Sequence, residues 1–134
     1  MTDFPPHVHT NRELELMLAG RKPLSWFYDE ISCLPDELII PEEAFSTHVK
    51  SGQFLRAEMI IEGSYIERLG RSEMIKHVLF CVPDEAWRIP AMHLLNVQFS
   101  KTGKWNETLE RMQGALLGYT EQENDIWCSD RFKN

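Results

Sequence analysis

The chain has 134 residues, 43 % of them apolar and 26 % charged, and a formal net charge of −7. This length suits one domain that folds without disulfide or metal staples, and no apolar run approaches the ~20 residues of a membrane helix. An acidic surface repels phosphate backbones, so direct nucleic-acid binding is not expected.

The charge is unevenly placed. Residues 29–43 hold six acids and no base, and residues 105–134 hold six acids against three bases. Between them, residues 44–104 carry a small basic excess. Segregated acid of this kind suits a basic protein partner as well as plain solubility.

In chain order, residues 1–9, with Pro5-Pro6, read as an extended arm ahead of a single domain over 10–134. The arm lacks a basic flank and apolar core, so no signal peptide is expected. His7 and His9 would put two imidazoles on one side of an extended chain, a spacing that can share a metal. A metal needs a third or fourth ligand, and none is apparent, so neither metal nor cofactor is expected. Three cysteines, Cys33, Cys81 and Cys128, form no CxxC pair. Their odd number predicts free thiols in a reducing, cytoplasmic setting.

Thr10 and Glu13 have the spacing of a capping box, which predicts a helix carrying Leu14, Met17 and Leu18 on one face and ending at Gly20. "LSWFY" reads as a strand. Its consecutive Trp26, Phe27 and Tyr28 cannot all share one face. "DEISCLPDELII" reads as a loop. A second helix follows from Pro41 to Gly52, with Glu42 and Glu43 in its first turn and Lys50 in its last, as the helix dipole favours.

The clearest strand covers 54–62, with Leu55, Ala57, Met59 and Ile61 on one face and Arg56, Glu58 and Ile60 on the other. Gly63-Ser64 then predicts a turn into a short strand over 65–69. A third strand of the meander, 74–82, is apolar on both faces at its end and therefore central. Pro83 and Pro90 bracket a turn around Trp87. A helix over 90–101 carries Met92, Leu95 and Phe99 in a stripe, and Asn106 caps the next, in which Leu109, Met112 and Leu116 continue it. Gly114 inside that helix costs about 1 kcal/mol against alanine, so a close packing contact is expected there. Gly118 terminates it. Thr120 and Glu123 repeat the capping-box spacing and start a final helix.

Together these elements predict an α+β fold: a small, mainly antiparallel sheet, a three-strand meander plus one strand, with helices packed on one face.

Candidate chemistry is sparse. No P-loop, GxGxxG, GxSxG or HExxH pattern occurs. His48 and His93 read as surface histidines. His77 alternates with Ile75, Leu79 and Cys81 on the third meander strand and should face the core or a pocket. Its separation from Cys81, ~13 Å along the strand, rules out a nucleophile–base pair. Glu58 and Glu62, with Glu67 across the turn, read as ion-pair partners of Arg56 and Arg68 on a solvated sheet face.

Three functions are consistent with these features. The leading one is a small acidic binding protein, of inhibitor or immunity type, that engages a basic protein partner. Its binding residues would be Tyr119, Glu121, Glu123, Asp125 and Trp127, with Asp36, Glu37, Glu42 and Glu43 as a second cluster. The second is a small enzyme with a pocket near His77 and Glu58. The third is a homodimeric structural or regulatory domain paired through the aromatic strand.

Overall fold

The segment that is apolar on both faces lies at the centre of the sheet. It belongs to β3 (Arg71–Cys81), which pairs antiparallel with β1 (Leu24–Glu30) and with β2 (Leu55–Ile66), in the order β1-β3-β2. Val78, Leu79, Phe80 and Cys81 are fully buried, as a strand covered on both sides requires. The structure, a computed structural model, describes residues 9, 11–31 and 40–132, so the expectations for His7, Thr10, Cys33, Asp36 and Glu37 lie outside it. Among the described residues there are five α-helices: α1 (Glu13–Leu18), α2 (Glu42–Lys50), α3 (Arg88–Thr102), α4 (Glu107–Leu116) and α5 (Glu121–Arg131). The class is α+β with an antiparallel sheet. No helix among the described residues is long and apolar enough to cross a membrane.

Two details differ from the sequence reading. Residues 55–66 form one long strand, so the sheet has three strands. Gly63 and Ser64 together oppose the single residue Glu73, because Glu62 pairs with Met74 and Tyr65 with Ser72. The glycine therefore marks a bulge that bends the strand without ending it. The chain reverses one step later, through a 3-10 turn at Glu67–Leu69.

The sheet is also covered on both faces rather than one. Trp26 and Phe27 point to opposite sides, and each finds a core. On the Phe27 side, Met17 of α1 and Phe45 of α2 pack on Val78 and Phe80, with Phe45 stacked on Phe80 at 4.1 Å between ring centroids. On the Trp26 side, Met92 and Ile89 of α3 pack on Leu24, Leu79 and Cys81. Burial of each large apolar side chain contributes roughly 1.5–3 kcal/mol, so both layers contribute to stability.

The last two helices follow their local signals closely, whereas α3 begins at Arg88, ahead of the expected Pro90. The Asn106 side chain accepts from the backbone N–H of Leu109 and so starts α4. Thr120 and Glu123 form the predicted capping box of α5. Between them, Gly118 has φ +93, and a Cβ there would lie 2.5 Å from Pro23 Cδ. Only glycine meets both demands.

Candidate binding surfaces

α3 and α4 run antiparallel, joined by a short connection through Gly103. The Arg88 guanidinium, at the start of α3, donates to the carbonyls of Ala115 and Leu116 at the end of α4, at 2.9 and 3.1 Å. That bond caps the helix C-terminus with a cation. α3 carries apolar residues all round. Met92 and Leu95 are buried, yet Leu94 is 69 % exposed.

α4 is turned unexpectedly. The residues it buries are Glu110 and Gly114, while Met112 is 51 % exposed. Of the stripe Leu109–Met112–Leu116, Leu109 and Met112 border α3 and solvent, while Leu116 reaches the core around Leu79 and Met92. Between the two helices runs an apolar groove of about 700 Å³, lined by Leu94, Leu95, Leu109, Met112 and Leu116 and ending at Trp87. The Trp87 indole donates to Glu85 at 2.7 Å and stacks under Arg88.

The inward turn of α4 has a local cause. A Cβ on Gly114 would meet Asn124 Oδ1 at 2.1 Å, so the glycine lets α5 pack directly on the α4 backbone. One turn earlier, Glu110 accepts the indole N–H of Trp105 at 2.5 Å and of Trp127 at 2.7 Å, and its carboxylate lies 3.3 Å from the Arg131 guanidinium. A buried carboxylate is tolerated because these charge-assisted donors replace water.

A second concavity, a cleft of about 620 Å³, opens between the sheet and the far end of α3. Tyr28, His77 and Ile61 line it from the sheet. Asn96, Phe99 and Ser100 line it from α3, and Trp105, Glu110 and Gln113 close it beyond. The Trp26 indole donates to His77 Nδ1 at 2.8 Å. An indole nitrogen only donates, so Nδ1 is the acceptor and the neutral ring carries its proton on Nε2. Burial, helped by nearby His93, lowers the pKa of His77 to about 4. At neutral pH the ring is therefore an uncharged N–H donor. The lone pair that a general base would use is occupied.

No protein-family model, curated protein or solved structure matches the chain.

The nominated residues fall apart in space. Glu58 pairs with Val78 in the β2–β3 register, so it lies on the opposite sheet face from His77. The structure does not bring the two together. Glu58 instead accepts from Arg56 at 2.7 Å and lies 3.8 Å from Lys76, while Glu42 accepts from Arg56 at 2.9 and 2.5 Å. The solvated ion-pair reading holds for Arg56 and Glu58, which Glu42 and Lys76 join; it is not shown for Glu62, Glu67 and Arg68. Glu43 is exposed beside them.

The C-terminal cluster is spent internally. Trp127 is tied to Glu110, Asp125 accepts from Arg111 at 2.6 Å, and Glu123 is buried in its capping box. Tyr119 packs against His9 at 3.9 Å between ring centroids, the rings tilted by 37°. Of this group Glu121, at the helix start, and Asp125 are exposed acids, Asp125 being paired with Arg111. Trp127 and the buried Cys128 anchor the C-terminal helix to its own domain, while Ile126 is exposed.

His9, expected on a solvated arm, is buried too. The Lys22 ammonium, itself buried, donates to His9 Nδ1 at 2.9 Å and to the Leu117 carbonyl at 2.6 Å. Desolvation lowers the pKa of Lys22 to about 7 and that of His9 to about 4. Among the described residues no group of three His, Cys, Asp or Glu is placed to hold a metal. Cys81 and Cys128 are free and buried, and desolvation raises both thiol pKa values, that of Cys81 to about 11. Neither is an activated thiolate.

Glu110, Asn96 and Lys22 were not singled out by sequence. One signal was present for Glu110: Gly114, whose helix-interior glycine marks a close-packed face, lies four residues on and so shares that face.

Proposed function

We propose that the protein is a binding protein that takes a basic amphipathic helix of another protein into the groove between α3 and α4. The observation that carries this reading is the outward turn of α4, which leaves Met112 and the facing Leu94 exposed around an apolar trough. A trough between two helices suits the apolar face of a third, read through anchors one turn apart. Methionine and leucine adapt to such a ligand, and exposed apolar surface of this kind marks interaction sites. The net charge of −7 disfavours a second copy of the chain and favours a partner of opposite sign. The acidic C-terminal cluster contributes long-range field rather than contacts.

The test uses Leu94→Asp and Met112→Asp, both at exposed positions. Crosslinking in native-host extract identifies the partner segment, and the purified partner is then titrated with wild type and variants over a salt series. A Lys/Arg-rich helical segment should crosslink at the groove. Its affinity should fall at least about tenfold in either variant and weaken with salt. A partner bound equally by both variants overturns the reading. So does a dimer of this chain that both variants dissociate.

A further inference from the structure

The cleft beside Tyr28 and His77 is distinct from the groove. α3 separates them, giving Leu94 and Gln98 to the groove and Asn96, Phe99 and Ser100 to the cleft. At about 620 Å³ the cleft lies within the roughly 300–1,000 Å³ typical of small-molecule sites.

Its walls are aromatic. Trp26, Tyr28 and His77 are near-parallel: Trp26 and Tyr28 are 4.9 Å apart at 25°, and Trp26 and His77 are 5.9 Å apart at 9°. On the helix side Phe99 and Trp105 meet edge to face at 5.3 Å. Tyr28 is 54 % exposed and Phe99 is 45 % exposed, so ring surface is available on both sides.

The polar groups are selective. Asn96 is 7 % exposed, lines the cleft, and its Nδ2 has no hydrogen-bond partner among the described residues. Native structures rarely leave such a donor unpaired. His77 adds one N–H donor, fixed by the Trp26 bond. Glu73 adds negative charge at the rim, while Glu110 at the back is paired with Arg131, which also lines the cleft.

We propose that this cleft binds a planar, uncharged heteroaromatic molecule of the nucleobase or nucleoside class. Its ring stacks on the aromatic side chains, and its carbonyl or ring-nitrogen acceptors meet the N–H groups of Asn96 and His77. In the lining two carboxylates, Glu73 and Glu110, face one cation, Arg131, and the remaining negative charge disfavours a phosphate, so the base or nucleoside is preferred to the nucleotide. This inference is independent of the groove.

The experiment is a tryptophan-fluorescence titration of the full chain with adenine, guanine, cytosine and uracil, their nucleosides and their 5′-monophosphates. Glucose serves as a non-aromatic ring. At least one base or nucleoside should bind in the micromolar range. Tyr28→Ala and Phe99→Ala, at exposed positions that do not threaten folding, should each weaken it about tenfold. Asn96→Ala, checked for folding by circular dichroism, should also weaken it, and the monophosphate should bind at least about tenfold worse than its nucleoside. The proposal is overturned if no base or nucleoside binds more tightly than about 1 mM. It is equally overturned if Tyr28→Ala and Phe99→Ala both leave binding unchanged, or if glucose or the monophosphates bind as tightly.

Discussion

The indole N–H of Trp26 donates to Nδ1 of His77 across the β1–β3 pair, and this bond sets what the histidine can do. Burial disfavours the charged ring, nearby His93 adds to the effect, and the pKa falls to about 4; protonation of Nδ1 would in addition have to displace the indole. Nuclear magnetic resonance titration should find His77 neutral at pH 6, and Trp26→Phe should move its pKa back towards 6.5. An unchanged midpoint in that variant would show that burial alone is responsible.

The same shift makes a prediction about acid stability. A histidine with a lowered folded-state pKa binds its proton more readily in the unfolded chain. Stability is therefore full above pH 6.5 and is lost as pH falls from 6.5 towards 4. His77 and His9 both have this sign. Each should remove on the order of 2 kcal/mol by pH 5. Urea denaturation at pH 7 and pH 5 measures it. His77→Gln, which keeps an acceptor for the indole, should shrink the difference between the two pH values. An equal difference in the variant would refute the assignment.

Lys22 carries the opposite end of the pH scale. Its folded pKa of about 7 lies below its ordinary 10.5, so the unfolded chain holds the proton more tightly and stability rises with pH above 7. Between pH 7 and 8.5 the gain should be roughly 1–2 kcal/mol, below the range where the buried thiols begin to oppose it. Lys22→Met should flatten the rise. A profile that rises as steeply in the variant would place the effect elsewhere.

Glu110 ties α4 to the connection before it through Trp105 and to α5 through Trp127 and Arg131. Glu110→Gln replaces one acceptor oxygen with a donor that faces an indole N–H. It should destabilise the fold by about 1–3 kcal/mol. Trp127→Phe, which removes a single donor, should cost less than the glutamine variant. Urea midpoints test both, and a loss under about 0.5 kcal/mol for Glu110→Gln would mean the carboxylate is solvated.

Gly114→Ala should destabilise despite the better helix propensity of alanine. The new methyl group meets the buried Asn124 side chain, and overpacking of this kind costs about 1–3 kcal/mol. Asn124→Ala gives up the bond from its Nδ2 to the Arg111 carbonyl. Combined with Gly114→Ala it should cost less than the two single changes summed, which a double-mutant cycle measures. Additive losses would place the strain outside this contact.

Whatever is encoded within about four residues was legible in the sequence. The Thr120–Glu123 capping box, the Asn106 cap, the Gly118 terminator and the alternation along residues 55–62 needed no distant partner. The central place of residues 74–82 also followed from apolar side chains on both faces. The facing of α4 did not follow, because a helix presents either side equally well until something packs on it. Asn124 against Gly114, and Trp105 with Trp127 on Glu110, decided that Glu110 turns in and Met112 out. The sheet register put Glu58 and His77 on opposite faces, and Gly63-Ser64 became a bulge only because Glu73 lies opposite. By itself the sequence determined most of the elements and the α+β class, since those depend mainly on neighbours along the chain, but not the continuation of β2 past Gly63. The groove, the cleft and the neutral His77 arise from contacts between residues tens of positions apart, and only the tertiary structure brings those together.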